Sequence, residues 1–414
     1  MMNLELFVKV VIALITIIVF AQLAGRVMKY IGQPAVVGEM ISGVLLGPTL
    51  FGYLFPELSG YVFPEKVMPV LYIISNLGLS LYMFLVGAEL NLSLFTKSTF
   101  KYSAALSFSA IIVPFIAGGA VIYFYNNEIN TFHISTMSMA VFMGVAFAIT
   151  AFPMLARILQ EKNILHTKLG TLSLLSASIQ DVISWIFLGI VTIMCTSHDY
   201  SKVAIMIAGA AVLTIMLFYL IRPLLNKIAG NVHTFEDLTP GYFGLVLLIF
   251  FVSVLTTDVL GLYSVFGGFI FGVILPRRNF FIKAISMRLK DITIIALLPV
   301  FFAFSGLNTN LIHLGKLDVL EPTLVILVVA FASKHLSCML TMRYFVGFDW
   351  GTSSAVGGLM NSRGLMELII ANIGLSYNLI DQRLYSILVL IAIVTTLAAM
   401  PIYNASLKKT TALR

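Results

Sequence analysis

The sequence predicts an all-α protein that crosses a membrane many times, and two observations lead to this prediction. Of the 414 residues, 60% are hydrophobic and 10% are charged. A soluble domain has about 25% charged residues, so this chain could not cover its surface in water. Its apolar runs also have about the 20-residue length of a membrane-spanning helix. A β-barrel would instead show short segments of alternating polarity.

Polar breaks between the apolar runs define thirteen predicted spans, of which the second and the ninth are short and rich in glycine. No basic region precedes the first run and no small-residue cleavage site follows it, so we interpret it as a retained helix. The predicted spans lie near residues 7–28, 34–50, 67–90, 103–125, 135–157, 169–196, 203–221, 240–257, 260–276, 291–307, 321–342, 351–376 and 384–405.

The basic residues predict the orientation of the chain. With the N-terminus outside, eighteen of the 25 basic residues fall in inner loops, five fall on the outer side and two lie within spans. Inner loops of membrane proteins are enriched in Lys and Arg, so we expect an N-outside, C-inside topology. The net charge of +7 is scattered over these loops and does not indicate nucleic-acid binding.

The number of spans predicts an inverted repeat. We expect a single transmembrane domain over residues 1–414, with repeat one near 7–196, a linker helix near 203–221 and repeat two near 240–405. Equivalent spans of the two repeats, such as the fifth and the twelfth, are seven spans apart along the chain. Because seven is an odd number, equivalent spans cross the membrane in opposite directions, as in many secondary transporters.

The fifth and twelfth spans are equivalent in the two repeats, and both contain helix-breaking residues. Pro153 cannot donate a backbone hydrogen bond, which predicts a break at 150–152. In the twelfth span, glycines flank the segment Asn361–Arg363. Broken helices expose carbonyl groups and helix ends that can bind ions near the bilayer midplane. A proline kink and glycine packing are the alternative interpretation.

Asp181 lies near the centre of the sixth span. An ionised carboxylate at this depth costs about 2.5–3.5 kcal/mol on insertion scales, which indicates a functional role. In a water-accessible cavity it can bind a proton or a small cation, but not both at once, and this competition couples the two ions. The alternative is that Asp181 pairs with a buried base and only holds helices together.

Three neutral side chains can complete an ion site around Asp181. Gln180 offers an amide oxygen, and Ser178 and Thr150 offer hydroxyl oxygens, which suit a hard cation such as K⁺ or Na⁺. Neighbouring helical residues point about 100° apart, so we expect only one of Gln180 and Asp181 to face the site directly. Each hydroxyl can equally bond to a carbonyl of its own helix.

Two bases, Lys334 and Arg363, lie within predicted spans. Arg363 keeps its charge, so we expect it to neutralise the site or to hold the crossing helices. Glu367 follows it by one turn and is expected to pair with it, and Asn361 lies in the same break. Lys334 can titrate during transport when buried, or its long side chain can extend to water.

The other polar residues of the spans receive no transport role. The sequence shows no nucleophile–base pair and no metal-ligand cluster, so we expect neither an enzyme nor a resident cofactor. The only metal ion expected is the transported K⁺ or Na⁺ at Asp181. The residues interpreted as packing or left without a role are Cys195, Cys338, His335, Glu39, Glu89 and Asp258.

Three motifs carry a family resemblance, namely ITAFPMLARIL, SASIQDVISW and NSRGLMELIIANIG. Together they resemble the cation/proton antiporter-2 family, which includes bacterial Kef-type potassium/proton antiporters and plant CHX-type exchangers. Similar stretches follow in family order over nearly the whole chain. They are PAVVGEMISGVLLGPTLFG (34–52), FLVGAEL (84–90) and GLYSVFGGFIFGVILPR (261–277).

The resemblance implies a Na⁺/H⁺ antiporter-like fold in a homodimer with a dimerisation domain and a mobile core domain. It implies a multi-pass protein of the cell membrane, the inner membrane in bacteria, with the lipid bilayer and small ions as partners. It also implies that Asp181 binds the ion and the proton, with Thr150 beside it. The pair Gln180-Asp181 is like that of Kef-type proteins, which favours electroneutral exchange of potassium. Lys334 falls where electrogenic relatives place a functional lysine, so the stoichiometry stays open.

One departure from the family concerns regulation. Kef-type proteins carry a nucleotide-binding regulatory domain after the membrane part, whereas this sequence ends at Arg414, about ten residues past its last span. We expect no such domain here, so regulation of this kind would come from a separate subunit.

The sequence therefore predicts a secondary active antiporter that exchanges K⁺ or Na⁺ for H⁺. Two alternatives remain. A sodium-coupled organic-anion carrier on a similar scaffold does not require a titrating carboxylate at the midplane. A cation channel passes ions without stoichiometric proton movement.

Overall fold

The structure is a computed structural model that describes residues 2–89, 97–129, 135–165, 167–196, 200–230, 232, 234, 237–276, 279–312 and 317–411. These residues form helices joined by short connections and contain no strand, which confirms the all-α class. The helices are α1 (Met2–Tyr30), α2 (Ala35–Leu46), α3 (Phe51–Leu54), α4 (Pro56–Val62), α5 (Met68–Glu89), α6 (Lys97–Ile129), α7 (Thr136–Ala148), α8 (Phe152–Glu161), α9 (Lys168–Thr196), α10 (Tyr200–Met216), α11 (Arg222–Gly230), α12 (Pro240–Val259), α13 (Ser264–Ile274), α14 (Asn279–Ile292), α15 (Leu298–Leu307), α16 (Leu317–Thr341), α17 (Trp350–Leu359), α18 (Gly364–Ser376) and α19 (Gln382–Thr411).

The helices coincide with the predicted spans. In the described part of the chain, ten helical segments are at least 18 residues long and apolar enough to cross a membrane. Three shorter apolar helices, of 10–17 residues, fall in the fifth, ninth and twelfth predicted spans. The chain is therefore a multi-pass membrane protein. The number of crossings and the N-outside orientation stay predictions.

Several helices extend beyond the predicted apolar segments. The helix α6 begins at Lys97 rather than near 103, and α14 begins at Asn279 and continues through a π-helical turn into α15. A second π-helical turn joins α10 to α11. Apolar composition marks the part of a helix in contact with lipid, whereas the backbone hydrogen bonds continue into the polar flanks. The predicted ends were therefore too short.

The chain divides into two compact units. Unit 1 comprises Met1–Ile18, Gly60–Leu92 and Thr192–Phe304. The ring of Phe84 on α5 lies at its core, stacked on Phe271 of α13 at 5.4 Å and tilted against Phe250 of α12 at 5.5 Å. Aromatic pairs at these separations stabilise a core beyond the area they bury.

Glycines allow α5 and α13 of unit 1 to pack backbone against backbone. A Cβ atom added at Gly272 would overlap the Phe84 carbonyl oxygen, and one added at Gly87 would overlap the Phe269 carbonyl oxygen. Small residues at helix contacts are typical of membrane proteins, where close approach replaces the hydrophobic driving force.

We expect Gly272→Ala to destabilise unit 1 because the added methyl group meets backbone, which cannot rotate away. Overpacking of this kind costs about 1–3 kcal/mol, so the melting temperature in detergent should fall by several degrees. Gly244→Ala on α12 is the matched control, because nothing lies within 4 Å of the added Cβ. Equal melting temperatures of the two variants would contradict the close packing of α5 and α13.

Unit 2 comprises Val19–Ser59, Ser93–Val191 and Ser305–Arg414. Buried serines join α6 to α9 within it. Ser176 Oγ donates to the Ser103 carbonyl oxygen at 2.9 Å. The Ser107 hydroxyl oxygen lies 2.7 Å from the Ser103 carbonyl oxygen and 2.9 Å from the Ser176 carbonyl oxygen, and its one proton can go to either. These contacts hold α9, the helix that carries Asp181, against α6.

Candidate functional site

The first helix break lies in the predicted fifth span. The helix α7 ends at Ala148 and α8 begins at Phe152, so residues 149–151 have non-helical backbone. Pro153 is the second residue of α8, where its missing N–H removes no intrahelical bond. The break is where the sequence predicts it.

The second break separates α17 from α18. The helix α17 ends at Leu359 and α18 begins at Gly364, whose φ of +47° lies in the left-handed region that favours glycine. The hydroxyl group of Thr396 on α19 accepts hydrogen bonds from the Arg363 N–H at 3.3 Å and the Gly364 N–H at 3.2 Å. Thr396 therefore caps the start of α18. Sequence reasoning missed it, because no local pattern relates it to a helix that begins 32 residues earlier.

The two breaks contact each other. The Ala151 N–H donates to the Ser362 carbonyl oxygen at 2.9 Å. The Thr150 hydroxyl oxygen lies 2.9 Å from the Met360 carbonyl oxygen. Four helix ends therefore converge, with the partly negative C-termini of α7 and α17 beside the partly positive N-termini of α8 and α18.

Gln180 connects α9 to the first break. It is fully buried, and its Oε1 lies 3.0 Å from the Thr150 hydroxyl oxygen. Thr150 has one hydroxyl proton, so it can donate either to Gln180 or to the Met360 carbonyl oxygen. Gln180 Nε2 donates to the Ser176 carbonyl oxygen at 3.2 Å, which holds the amide in one orientation.

Asp181 is also fully buried, and neither carboxylate oxygen makes a hydrogen bond of standard geometry with a described residue. The Phe152 amide at the start of α8 and the Lys334 side chain are close enough to act on it electrostatically. Gln180 contacts the first break through Thr150. The expectation that only one of Gln180 and Asp181 faces the ion site directly stays a prediction.

Two buried bases lie at the C-terminus of α7. Lys334 Nζ donates to the Ala148 carbonyl oxygen at 2.6 Å. Arg363 Nη1 donates to the Ala146 carbonyl oxygen at 3.1 Å, and Arg363 Nη2 donates to the Ala330 carbonyl oxygen on α16 at 2.8 Å. Cations stabilise a helix C-terminus. Lys334 occupies the carbonyl group of the last residue of α7, and Arg363 adds a second donor to the Ala146 carbonyl oxygen, which also accepts the Ile149 N–H at 3.5 Å.

Arg363 also pairs with Glu367, as the sequence predicts. Arg363 Nη1 lies 3.3 Å from Glu367 Oε2, and both side chains are fully buried. The guanidinium group lies 5.7 Å from the centre of the Phe147 ring. One guanidinium therefore joins α7, α16 and α18.

The remaining two predicted site residues differ in what they offer an ion. Ser178 Oγ donates to the Leu174 carbonyl oxygen of its own helix at 2.9 Å. Asn361 Nδ2 donates to the Gly357 carbonyl oxygen at 3.0 Å, while its buried Oδ1 has no partner among the described residues. Asn361 thus has an acceptor available, and the ion-binding role of both residues stays a prediction.

Trp185 is a neighbour of Asp181 that sequence reasoning missed. It lies one helical turn after Asp181 and is 1% exposed, and its Nε1–H has no partner among the described residues. Long side chains on a helix tend to point back toward the residue one turn earlier, which for Trp185 is Asp181. The i, i+4 spacing in SASIQDVISW is the signal that could have identified it.

The polar oxygen atoms at and near the first break and in the second break are of the kinds that coordinate small cations, and the carboxylate among them is the one that can take up a proton. They comprise the Asp181 carboxylate, the Thr150 hydroxyl, two side-chain amide oxygens and the carbonyl groups of the breaks. Among the described residues, no group of three or more His, Cys, Asp or Glu is arranged to hold a metal ion.

Three comparisons relate the chain to known proteins. A family model described as "Sodium/hydrogen exchanger, transmembrane" matches residues 10–403. The Na(+)/H(+) antiporter NhaS4 of Synechocystis sp. is 34% identical over 390 residues, which cover 94% of this chain and 95% of NhaS4. The K(+)/H(+) antiporter 1 of Saccharomyces cerevisiae is 30% identical over 89% of this chain, which spans 43% of that relative's length.

A solved structure shares the fold. The sodium proton antiporter MjNhaP1 from Methanocaldococcus jannaschii, solved at pH 8, matches with a TM-score of 0.72 at 16% identity. The match covers 98% of this chain and 99% of that one.

Proposed function

The chain belongs to the transmembrane sodium/hydrogen exchanger family, and we propose that it exchanges K⁺ or Na⁺ for H⁺ by alternating access at Asp181. The family consists of cation/proton antiporters, which are transporters and not enzymes. One observation carries the assignment of the site. Asp181 is fully buried next to Gln180, which contacts the first of two touching helix breaks, and the Asp181 carboxylate has no hydrogen-bonded base among the described residues.

The contrast with Glu367 supports Asp181 as the exchanging carboxylate. Both side chains are fully buried, but Glu367 is bound to Arg363 at 3.3 Å. A carboxylate held by a permanently charged guanidinium has its counter-ion within the protein. Asp181 has no such bonded partner among the described residues, and Lys334, which acts on it electrostatically, donates to the Ala148 carbonyl oxygen instead. We therefore expect a proton or a transported cation to neutralise Asp181. One carboxylate then carries the two ions in turn.

Lys334 and Arg363 support the site by neutralising the partial negative charge at the C-terminus of α7, where they bind the Ala148 and Ala146 carbonyl oxygens. With these carbonyl groups occupied, the partial negative charge of the helix end does not compete with Asp181 for the cation. Gln180, Thr150 and Asn361 supply neutral oxygens. A single titrating carboxylate of this kind exchanges one cation for one proton.

We also propose the domain organisation predicted from the sequence, with two inverted repeats in one transmembrane domain and a homodimer in the cell membrane. The order of the helices supports the repeat. The second predicted span of each repeat is a short helix, α2 or α13, and the fifth is a broken pair, α7 with α8 or α17 with α18.

Proteoliposomes that contain a pH-sensitive dye test the proposed function. Separate inward gradients of Na⁺, K⁺ and Li⁺ should each be imposed, and an exchanged cation will drive protons out and make the lumen alkaline. The names of the relatives include both Na⁺ and K⁺, so both gradients are essential. A cation channel moves no protons itself, so the lumen pH would change only after a protonophore is added. A response that requires an organic anion would show a carrier.

The response of the exchange rate to an imposed membrane potential reveals the stoichiometry in the same vesicles. One-for-one exchange moves no net charge, so a potassium–valinomycin potential should leave the rate of Na⁺-driven proton movement unchanged. A rate that follows the potential would mean that Lys334 also exchanges its proton.

We expect Trp185→Phe to weaken cation binding about tenfold while the protein stays folded. The ring is kept, but the buried Nε1–H is lost. It has no partner among the described residues, and we expect it to donate to the Asp181 carboxylate or to water around the ion once a cation is bound. A hydrogen bond to a charged group contributes about 1.5–3 kcal/mol, and about 1.4 kcal/mol corresponds to tenfold. The KM for the cation should therefore rise more than kcat falls.

Phe187→Leu on the same helix is the control for Trp185→Phe, because Phe187 is 42% exposed and lies on another face of α9. An unchanged KM in Trp185→Phe would remove the indole from the site.

A further inference from the structure

Bases and aromatic rings gather at one end of unit 2, in a group we call the interfacial cluster. Each base lies over a ring: Lys101 Nζ is 5.6 Å from the centre of the first ring, Lys168 Nζ is 5.2 Å from the second and Arg343 Cζ is 5.3 Å from the third. The three rings are those of Phe345, Phe348 and Trp350.

All three bases converge on one short segment, Arg343–Trp350, which connects α16 to α17. Lys101 comes from the first turns of α6, and Lys168 is the first residue of α9. Arg343 Nη1 donates to the Phe348 carbonyl oxygen at 3.0 Å. The connection turns at Gly347, whose φ is +83°. Two bases from other helices therefore lie over rings beside the connection that carries the third base.

The cluster lies at the depth of a membrane–water interface. The apolar stretches of α6 and α9 begin at Lys97 and Lys168, and that of α16 ends at Val346. The predicted topology places these ends on the inner side. Aromatic and basic residues are enriched at this level of a membrane, where phospholipid headgroups lie.

The side chains of the cluster are accessible from outside the protein. Lys101 and Lys168 are exposed, Phe345 is 49% exposed and Trp350 is 48% exposed. An ammonium group above a ring keeps N–H donors that point away from the ring. Donors on the three cations that lie over the rings of this connection are therefore free to face an anionic group.

One acidic residue, Asp349, lies in the connection itself. It caps α17, where its carboxylate accepts from the Thr352 N–H at 3.0 Å and from the Thr352 hydroxyl group at 2.5 Å. Three bases and one carboxylate leave a net positive charge, which favours an anion, and the exposed rings of Phe345 and Trp350 can contact the apolar part of the same molecule.

We propose that the interfacial cluster binds an anionic phospholipid, with its phosphate at Lys101, Lys168 and Arg343 and its glycerol and acyl region against the rings of Phe345 and Trp350. The bound lipid holds the connection between α16, which carries Lys334, and α17, which ends at the second break. Given the proposed function, occupancy then changes the rate of exchange.

Native mass spectrometry of the detergent-solubilised protein tests the binding step without any transport. The wild type should retain phosphatidylglycerol at least several-fold better than phosphatidylcholine. The triple variant Lys101→Gln/Lys168→Gln/Arg343→Gln should lose this preference. Inorganic phosphate at millimolar concentration should not displace the lipid, because it lacks the apolar part that contacts the rings.

Two further variants keep this test decisive. Lys101→Gln/Lys168→Gln retains the Arg343 bond to Phe348, so it should fold even if the triple variant does not, and it should bind less phosphatidylglycerol. Lys9→Gln is the matched control, since Lys9 lies 3.1 Å above the ring of Tyr61 in unit 1. It should bind lipid like the wild type. An unchanged preference for phosphatidylglycerol in the double and triple variants would overturn the proposal, as would displacement by free phosphate.

Transport measurements then test the coupling. Exchange by the wild type should differ at least twofold between vesicles with and without phosphatidylglycerol, and the double variant should show no such difference. Lost lipid preference with persisting exchange would separate the lipid site from the ion site, whereas lost exchange with normal lipid binding would contradict only the proposed function.

Discussion

Asp181→Asn is expected to abolish cation-driven proton movement in proteoliposomes, with a loss of at least about a hundredfold. Asparagine has nearly the size of aspartate, so the buried position between the breaks should stay packed. It cannot carry a negative charge or release a proton at any pH used in the assay. If one carboxylate carries both ions, nothing in the variant can replace it. The measurement is the dye response to imposed Na⁺ and K⁺ gradients.

Two comparisons decide whether the loss belongs to Asp181 itself. Asp181→Glu keeps a carboxylate and should retain exchange with an altered KM, whereas Glu367→Gln removes the other carboxylate of the site and tests whether that one also exchanges. In the wild type, the KM for the cation should rise as pH falls, because protons compete for the same group. Normal exchange by Asp181→Asn would mean that Asp181 is structural and that another group carries the ions.

The sequence predicts the elements of this site better than their contacts. Asp181 was identifiable because a charge is costly in an apolar run, and Pro153 marked the first break because proline lacks an N–H. The partners of the bases were not identifiable. Lys334 binds the Ala148 carbonyl oxygen, and one backbone carbonyl looks like any other in a sequence until a break leaves it without its own partner.

Contacts between distant segments explain the other differences. Thr396 caps α18 from another helix, and Ala151 bonds to Ser362 across more than 200 residues. The periodicity of one helix contains no information about which carbonyl groups of another will face it. The helix starts at Lys97 and Asn279 were missed for a different reason. Apolar composition identifies only the part of a helix that contacts lipid, and these helices continue into polar residues beyond it.

The second large effect is expected for Arg363→Ala, which should destabilise the folded protein as well as stop exchange. The guanidinium binds the Ala146 and Ala330 carbonyl oxygens and Glu367. Its removal leaves a buried carboxylate without its partner. Breaking a buried ion pair in this way costs about 3–5 kcal/mol. We expect a large fall in the melting temperature and in the yield of monodisperse protein in detergent.

A double variant separates the two roles that Arg363 combines. If Arg363 served only as the partner of Glu367, Arg363→Met/Glu367→Leu would recover the lost stability, since apolar pairs often replace buried ion pairs without penalty. We expect incomplete recovery, because the Ala146 and Ala330 carbonyl groups still lose the guanidinium donor that joins their helices to α18. Arg363→Lys should be intermediate, as one ammonium group lacks the planar fork that reaches three acceptors. A stable and active Arg363→Ala would show that the packing of α7, α16 and α18 does not depend on this guanidinium. Lys334 alone would then neutralise the partial negative charge at the C-terminus of α7.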